Sequence, residues 1–250
     1  MQGNDGGGSG NNYEFTPLKS GTTLRVKVKG TEDIMQYFGY GVFKKVNTFV
    51  AKNPSVRNDR GFVEDNPTPW DQAAAYYYTK AREAEESGAS KEEVDKIRST
   101  AYQYAGKERY AIGFHDLTSG KDIVVDFTRN QAKDVYAVIE KDASKIDKLA
   151  FELSKTGARQ DTAVTLMPII DMDEDLTDEE RKNFDAAKGQ PFNSEMFDGL
   201  LYEADEQEQI EFLTTSWFDV SLIGLATNAG GADVDEHVVP VISDDPTIDF

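Results

Sequence analysis

The 250-residue chain carries 27 Lys/Arg against 46 Asp/Glu, a formal charge of −19, with 2 His and no Cys. Disulfides and thiolate metal centres are thereby excluded, two His leave little for a zinc site, and no apolar run is long enough to span a bilayer. The average charge hides a split: residues 161–250 hold 3 basic against 23 acidic side chains, whereas residues 16–60 hold 9 basic against 3 acidic. Such a chain is polarised rather than uniformly acidic.

Residues 1–14 open on a Gly/Asn/Ser-rich stretch without the apolar core of a signal peptide, which predicts a disordered arm on a soluble, cytoplasmic protein. Thr22–Val28 alternates apolar or β-branched residues with polar ones and predicts a half-buried strand whose outward face is Thr23, Arg25 and Lys27. Tyr37–Val50 is dense in aromatic and β-branched residues, and its glycines predict a bent or bulged strand. Lys52–Pro69, with Pro54, Gly61, Pro67 and Pro69, reads as a long loop whose first part, Lys52–Gly61, is basic.

A helical pattern then runs from about 71 to 107, broken at Gly88 and restarted by a Ser90/Glu93 capping box, which predicts a helical hairpin. Arg109–Asp116 and Lys121–Thr128 form a predicted strand pair turned at Thr118-Ser119-Gly120. Thr128 with Gln131 caps the next helix, and strands over Lys148–Lys155 and Thr162–Ile170 follow, joined near Gly157. With the helical hairpin set aside as an insertion, about five strands and one helix remain over residues 15–170. That inventory suits a mainly β fold with inserted and appended helices, built on a five-stranded OB-type barrel. Periodicity does not reveal strand order, so another α+β sheet stays open.

Residues 171–227 are acidic and helical, with a Thr177/Glu180 capping box. Their apolar patch of Phe212, Leu213, Trp217, Phe218, Val220, Leu222, Ile223 and Leu225 is large enough to require packing on the core. Residues 228–250 lose all period and read as a disordered acidic tail holding Asp244, Asp245, Ile248, Asp249 and Phe250. Such a string can lodge its apolar tip in a basic-rimmed pocket of a partner, or fold back onto a cationic groove.

Binding of single-stranded nucleic acid needs cations that track phosphates and flat side chains on which bases stack. Arg25, Lys27, Lys44, Lys45, Lys52, Arg57 and Arg60 supply the cations, and Tyr37, Tyr40, Phe43 and Phe49 the rings. Strand alternation sends neighbouring rings to opposite faces, so it leaves open which fill a core and which meet bases. Other chemistries fare worse. Asp171-Met172-Asp173-Glu174-Asp175 begins like a calcium loop but has Leu176 where Gly belongs and Lys182 in place of the bidentate Glu. Asp116, Asp122 and Asp126 flank a hairpin without further acidic partners at a metal-site spacing, and His115 reads as a strand-surface residue with no nucleophile to serve. Neither a catalytic constellation nor a cofactor or metal site is expected.

The run Gly21-Thr22-Thr23-Leu24-Arg25-Val26-Lys27-Val28, the stretch Tyr40–Phe49 with the basic loop after it, and the Ile112–Asp126 hairpin resemble tailed-bacteriophage single-stranded DNA-binding proteins. The ending Ser243-Asp244-Asp245-Pro246-Thr247-Ile248-Asp249-Phe250 resembles the acidic tip of bacterial and phage proteins of that kind. The resemblance implies an OB fold and sequence-tolerant binding of single-stranded DNA in phage replication, recombination and repair. It further implies a tail that recruits replication and recombination proteins, and a place in the host cytoplasm. A second reading from the charge split makes residues 161–250 the active surface of an acidic interaction protein or DNA mimic. A third is a metal-dependent nuclease.

Overall fold

A computed structural model describes residues 13–158 and 161–226. In chain order the strands are β1 (Thr23–Lys27), β2 (Ile34–Val42), β3 (Val46–Ala51), β4 (Val56–Arg57), β5 (Val63–Asp65), β6 (Lys107–Asp116), β7 (Lys121–Thr128), β8 (Phe151–Thr156), β9 (Ala163–Pro168) and β10 (Glu203–Ala204). The helices are α1 (Pro69–Glu86), α2 (Lys91–Tyr104), α3 (Arg129–Lys141), the single turn α4 (Met172–Asp175), α5 (Asp178–Ala186) and α6 (Glu206–Thr215). The fold mixes helix and strand around a mainly antiparallel sheet of 8 strands, ordered β10-β3-β2-β6-β1-β8-β9 with β7 also paired to β6. That path ends on two different strands, so no closed barrel is present among the described residues.

The described chain divides into two compact units, 13–36 with 110–200 and 37–109 with 201–226. In the first, β1 lies antiparallel between β6 and β8, with Lys27 opposite His115 and Val26 opposite Phe151. β8 and β9 form a hairpin turned at Gly157, where φ is +78° and an added Cβ would stand 2.0 Å from the Asp161 carbonyl oxygen. Glycine alone fits there. Period-2 alternation sends Val26, Phe114, Val125, Phe127, Phe151 and Leu153 into one core, closed by Ala132, Val135 and Ile139 from one face of α3. Each fully buried Val, Leu, Ile or Phe side chain there stabilises by roughly 1.5–3 kcal/mol. A satellite core joins Leu117, Ala150 and Ile169 to Leu176 and Phe184 of the acidic segment.

In the second unit, β2 and β3 are antiparallel, pairing Tyr40 with Phe49 and Val42 with Val46 across a bulge at Gly41. The aromatic run is thus two strands folded back at Phe43-Lys44-Lys45, not one bent strand. Lys45 N–H donates to the Val42 carbonyl at 2.9 Å to close the turn. β10 adds in parallel to β3. The expected long loop contains the two-stranded ribbon β4–β5. Helix α1 starts at Pro69 behind a Thr68/Asp71 capping box, two residues before the expected start, because Pro at the first helical position needs no amide partner. Rings fill this core: Phe49 and Trp70 lie 5.2 Å apart, Trp70 and Tyr104 5.7 Å, Tyr104 and Phe218 5.4 Å. The indole Nε1 of Trp70 donates to the Gln209 carbonyl at 3.0 Å, fixing α6 to the start of α1.

Candidate nucleic-acid interface

The two cations of β1 are consumed by the first unit. Lys27 is 0% exposed. Its Nζ donates to Asp147 Oδ1 at 3.1 Å and to the Ile146 carbonyl at 3.0 Å, and sits 4.7 Å from the centre of the Phe184 ring. Burial pushes its ammonium pKa down while Asp147 holds it up. Arg25 Nη1 donates to Glu180 Oε2 at 2.9 Å, with Glu152 at 3.8 Å. Arg25 and Lys27 do share the strand face that alternation assigns them, but Glu180 of α5 pairs with the one and residues 146–147 with Phe184 close over the other.

His115 is buried rather than exposed on its strand. Its Nδ1 lies 2.8 Å from Asp122 Oδ1, and Asp122 also accepts from Lys29 Nζ at 3.0 Å and from the Asn193 N–H at 3.1 Å. Burial works against the Asp122 carboxylate, yet these donors, His115 first, hold its pKa below the ordinary value. Asp116 accepts from the amides of Thr118 and Ser119 in the turn. Among the described residues no three His, Cys, Asp or Glu side chains are grouped to hold a metal ion, and no helix is long and apolar enough to cross a membrane.

Three of the four predicted stacking rings are buried: Tyr40 and Phe49 in the core of the second unit, and Tyr37 at its first residue. The Tyr40 hydroxyl donates to Asp71 Oδ2 at 2.9 Å, and Arg57 Nη2 donates to Asp71 Oδ1 at 2.5 Å and to the Tyr40 oxygen at 3.0 Å. Arg57 Nη1 takes the Gly61 carbonyl at 2.9 Å, and its guanidinium lies 4.3 Å from the centre of Phe38. Burial, reinforced by the Asp71 charge, raises the Tyr40 pKa. Gly106 permits this closeness, since a Cβ there would stand 2.8 Å from Arg57 Nη2 and 3.0 Å from the Tyr40 ring. Arg57 therefore ties the β4–β5 ribbon to α1 instead of facing solvent.

Phe43, Lys44, Lys45, Lys52 and Arg60 remain on the surface of this unit. Phe43 is 60% exposed at the tip of the β2–β3 hairpin, with Lys44 Nζ 5.2 Å from its ring centre. On the ribbon turn, Asn58 Oδ1 accepts the amides of Arg60 and Phe62 at 3.0 and 3.1 Å, and Phe62 is 66% exposed. Among the described residues, Lys44, Lys52 and Arg60 have no carboxylate partner.

One ring that the sequence predicts to be buried lies on the surface. Trp217, grouped with Phe218 as apolar residues that must be buried, is 82% exposed, whereas Phe218 is buried. Ser216 caps α6, Trp217 adopts φ +74°, and the amides of Trp217 and Phe218 donate to the Thr214 and Leu213 carbonyls at 2.9 and 3.0 Å. The chain thereby reverses at the helix end, turning Phe218 inward and Trp217 outward. Lys45 Nζ sits 3.6 Å from the Trp217 ring centre and donates to the Ser216 carbonyl at 3.3 Å. The hint in the sequence was the Trp-Phe pair directly after a helix, where only one ring can face the core. Asp244, Asp245, Ile248, Asp249 and Phe250 lie outside the described residues. Compared with protein-family models, curated proteins and solved structures, the chain finds no match.

Proposed function

We propose that this protein binds single-stranded DNA without base-sequence preference and is not an enzyme, its acidic tail recruiting replication and recombination proteins. The observation that carries this is the surface of the 37–109/201–226 unit, where exposed rings stand beside cations free of carboxylate partners among the described residues. Phe43 with Lys44 Nζ near its ring at the hairpin tip is one instance, and on the ribbon turn exposed Phe62 and Arg60 share Asn58 Oδ1 as the acceptor of their amides. An exposed ring gains contact from an unstacked base, which duplex DNA does not offer, while neighbouring ammonium or guanidinium groups take the phosphates. An OB-type core is the architectural part of the proposal. It is supported in the 13–36/110–200 unit by β1, the hairpins β6–β7 and β8–β9, and α3 placed between them. The tail's part rests on composition, in which Asp244, Asp245 and Asp249 accompany Ile248 and Phe250. The interface is tested by replacing Lys44, Lys52 and Arg60 together with Ala and measuring oligo(dT) affinity against salt. Each lost phosphate contact should flatten the log K against log [salt] slope by about 0.7. An unchanged slope and affinity would remove this surface from the function.

A further inference from the structure

The geometry points to Trp217 as a base-stacking residue of this interface, held in a strained backbone conformation so that its ring faces an unpaired base. The assignment rests on the single-stranded DNA reading above and adds a residue that the apolar patch of residues 212–225 predicts to be packed on the core.

Trp217 is 82% exposed, so the indole face that Lys45 does not cover is open to a ligand. Its φ of +74° lies in the left-handed region, where a helix-ending residue is ordinarily Gly because a Cβ is crowded there. Among the described non-glycine residues only Lys44, Asn66 and Trp217 adopt positive φ. Asn takes that conformation readily, whereas Trp does not. The fold does not need the ring: Phe218 fills the core at this helix end and Leu213 is fully buried beside it. A Gly at 217 would therefore make the same turn with less strain. Lys45 is anchored on the Ser216 carbonyl and places its ammonium on one face of the indole, 3.6 Å from the ring centre. A base stacked on the ring would have a phosphate-neutralising cation beside it already in place, and Lys44 and Phe43 belong to the same turn as Lys45. An exposed, strained ring with a fixed cation is what a stacking site needs and what a structural helix stop lacks.

The alternative is that the Lys45–Trp217 contact merely tethers the hairpin to α6, and stability separates the two. Trp217→Gly should raise the melting temperature by a few degrees as the strain is relieved, yet weaken oligo(dT) binding by roughly 5- to 150-fold, the range for losing one stacked base. Fluorescence gives a second readout, because the chain has 2 Trp and Trp70 is fully buried. Oligo(dT) should quench wild-type emission, whereas Trp217→Phe should still bind by anisotropy of labelled DNA with no change in emission. The inference is overturned if Trp217→Gly melts below wild type, binds as tightly as wild type, or if Trp217→Phe still shows the quench. If wild type binds no oligo(dT) at all, the single-stranded DNA reading itself falls.

Discussion

Arg57 looks like a phosphate ligand in sequence and behaves as a structural residue in the fold, because its charge is spent on Asp71. The two side chains are nearly buried, at 10% and 4% exposure, and Tyr40 donates to the same carboxylate. Arg57→Ala would leave the Asp71 charge buried without its cation, and a loss of about 3–5 kcal/mol is expected by urea unfolding. Tyr40→Ala should cost a similar amount, about 3–5 kcal/mol, through the cavity it opens against Phe49 and Trp70. Weakened DNA binding in either variant would therefore report unfolding rather than a lost contact. Lys107 supplies a pH signature. Its Nζ sits 2.9 Å from the Tyr102 ring centre, and burial lowers its pKa from 10.5 to about 7. Between those values the unfolded chain holds more protons at this residue than the folded chain does, so Lys107 makes stability rise with pH from about 7 upward. Lys107→Met should flatten the slope of unfolding free energy between pH 7 and 9, and an unchanged slope would show that Lys107 titrates normally.

At the scale of elements, local chemistry was the most legible. The Ser90/Glu93, Thr128/Gln131 and Thr177/Glu180 capping boxes are all formed, as each pairs a hydroxyl and a carboxylate or amide three residues apart. Ser90→Ala should cost about 1 kcal/mol in a melt, mostly by fraying α2. What pattern could not supply was partnership across the chain. Lys27 reads as an outward cation because Asp147 is 120 residues away. Tyr37–Val50 reads as one strand because a tight turn at Phe43-Lys44-Lys45 contains neither Asn-Gly nor Asp-Gly. The acidic extension follows the same rule. Thr177 could be recognised as its cap, but not that Phe184 would be fully buried against Leu117, Ala150 and Ile169. Phe184→Ala should cost about 3–5 kcal/mol and make the 171–200 segment more sensitive to protease.

For the whole molecule, the charge split has consequences for any encounter with DNA. The acidic residues of 171–226 are not a uniform negative surface: Glu180 turns inward to Arg25, and Asp205 and Glu208 cap α6. Of the eleven residues whose pattern suggested phosphate or base contact, five stay exposed: Phe43, Lys44, Lys45, Lys52 and Arg60. Phe62 and Trp217 join them from outside that set. Composition thus pointed to the kind of surface and to part of its address, whereas the division between core ring and exposed ring required the fold. A handful of cations beside exposed rings implies modest electrostatics with a stacking term that salt does not remove. The most direct measurement is a titration of the full chain against labelled oligo(dT) and against duplex DNA of equal length, repeated over a range of salt. Tight binding to oligo(dT), clear discrimination against duplex, and a log–log salt slope of about −2 to −3 are expected for three or four neutralised phosphates. Failure to bind oligo(dT) at low salt, or equal affinity for the duplex, would contradict the account.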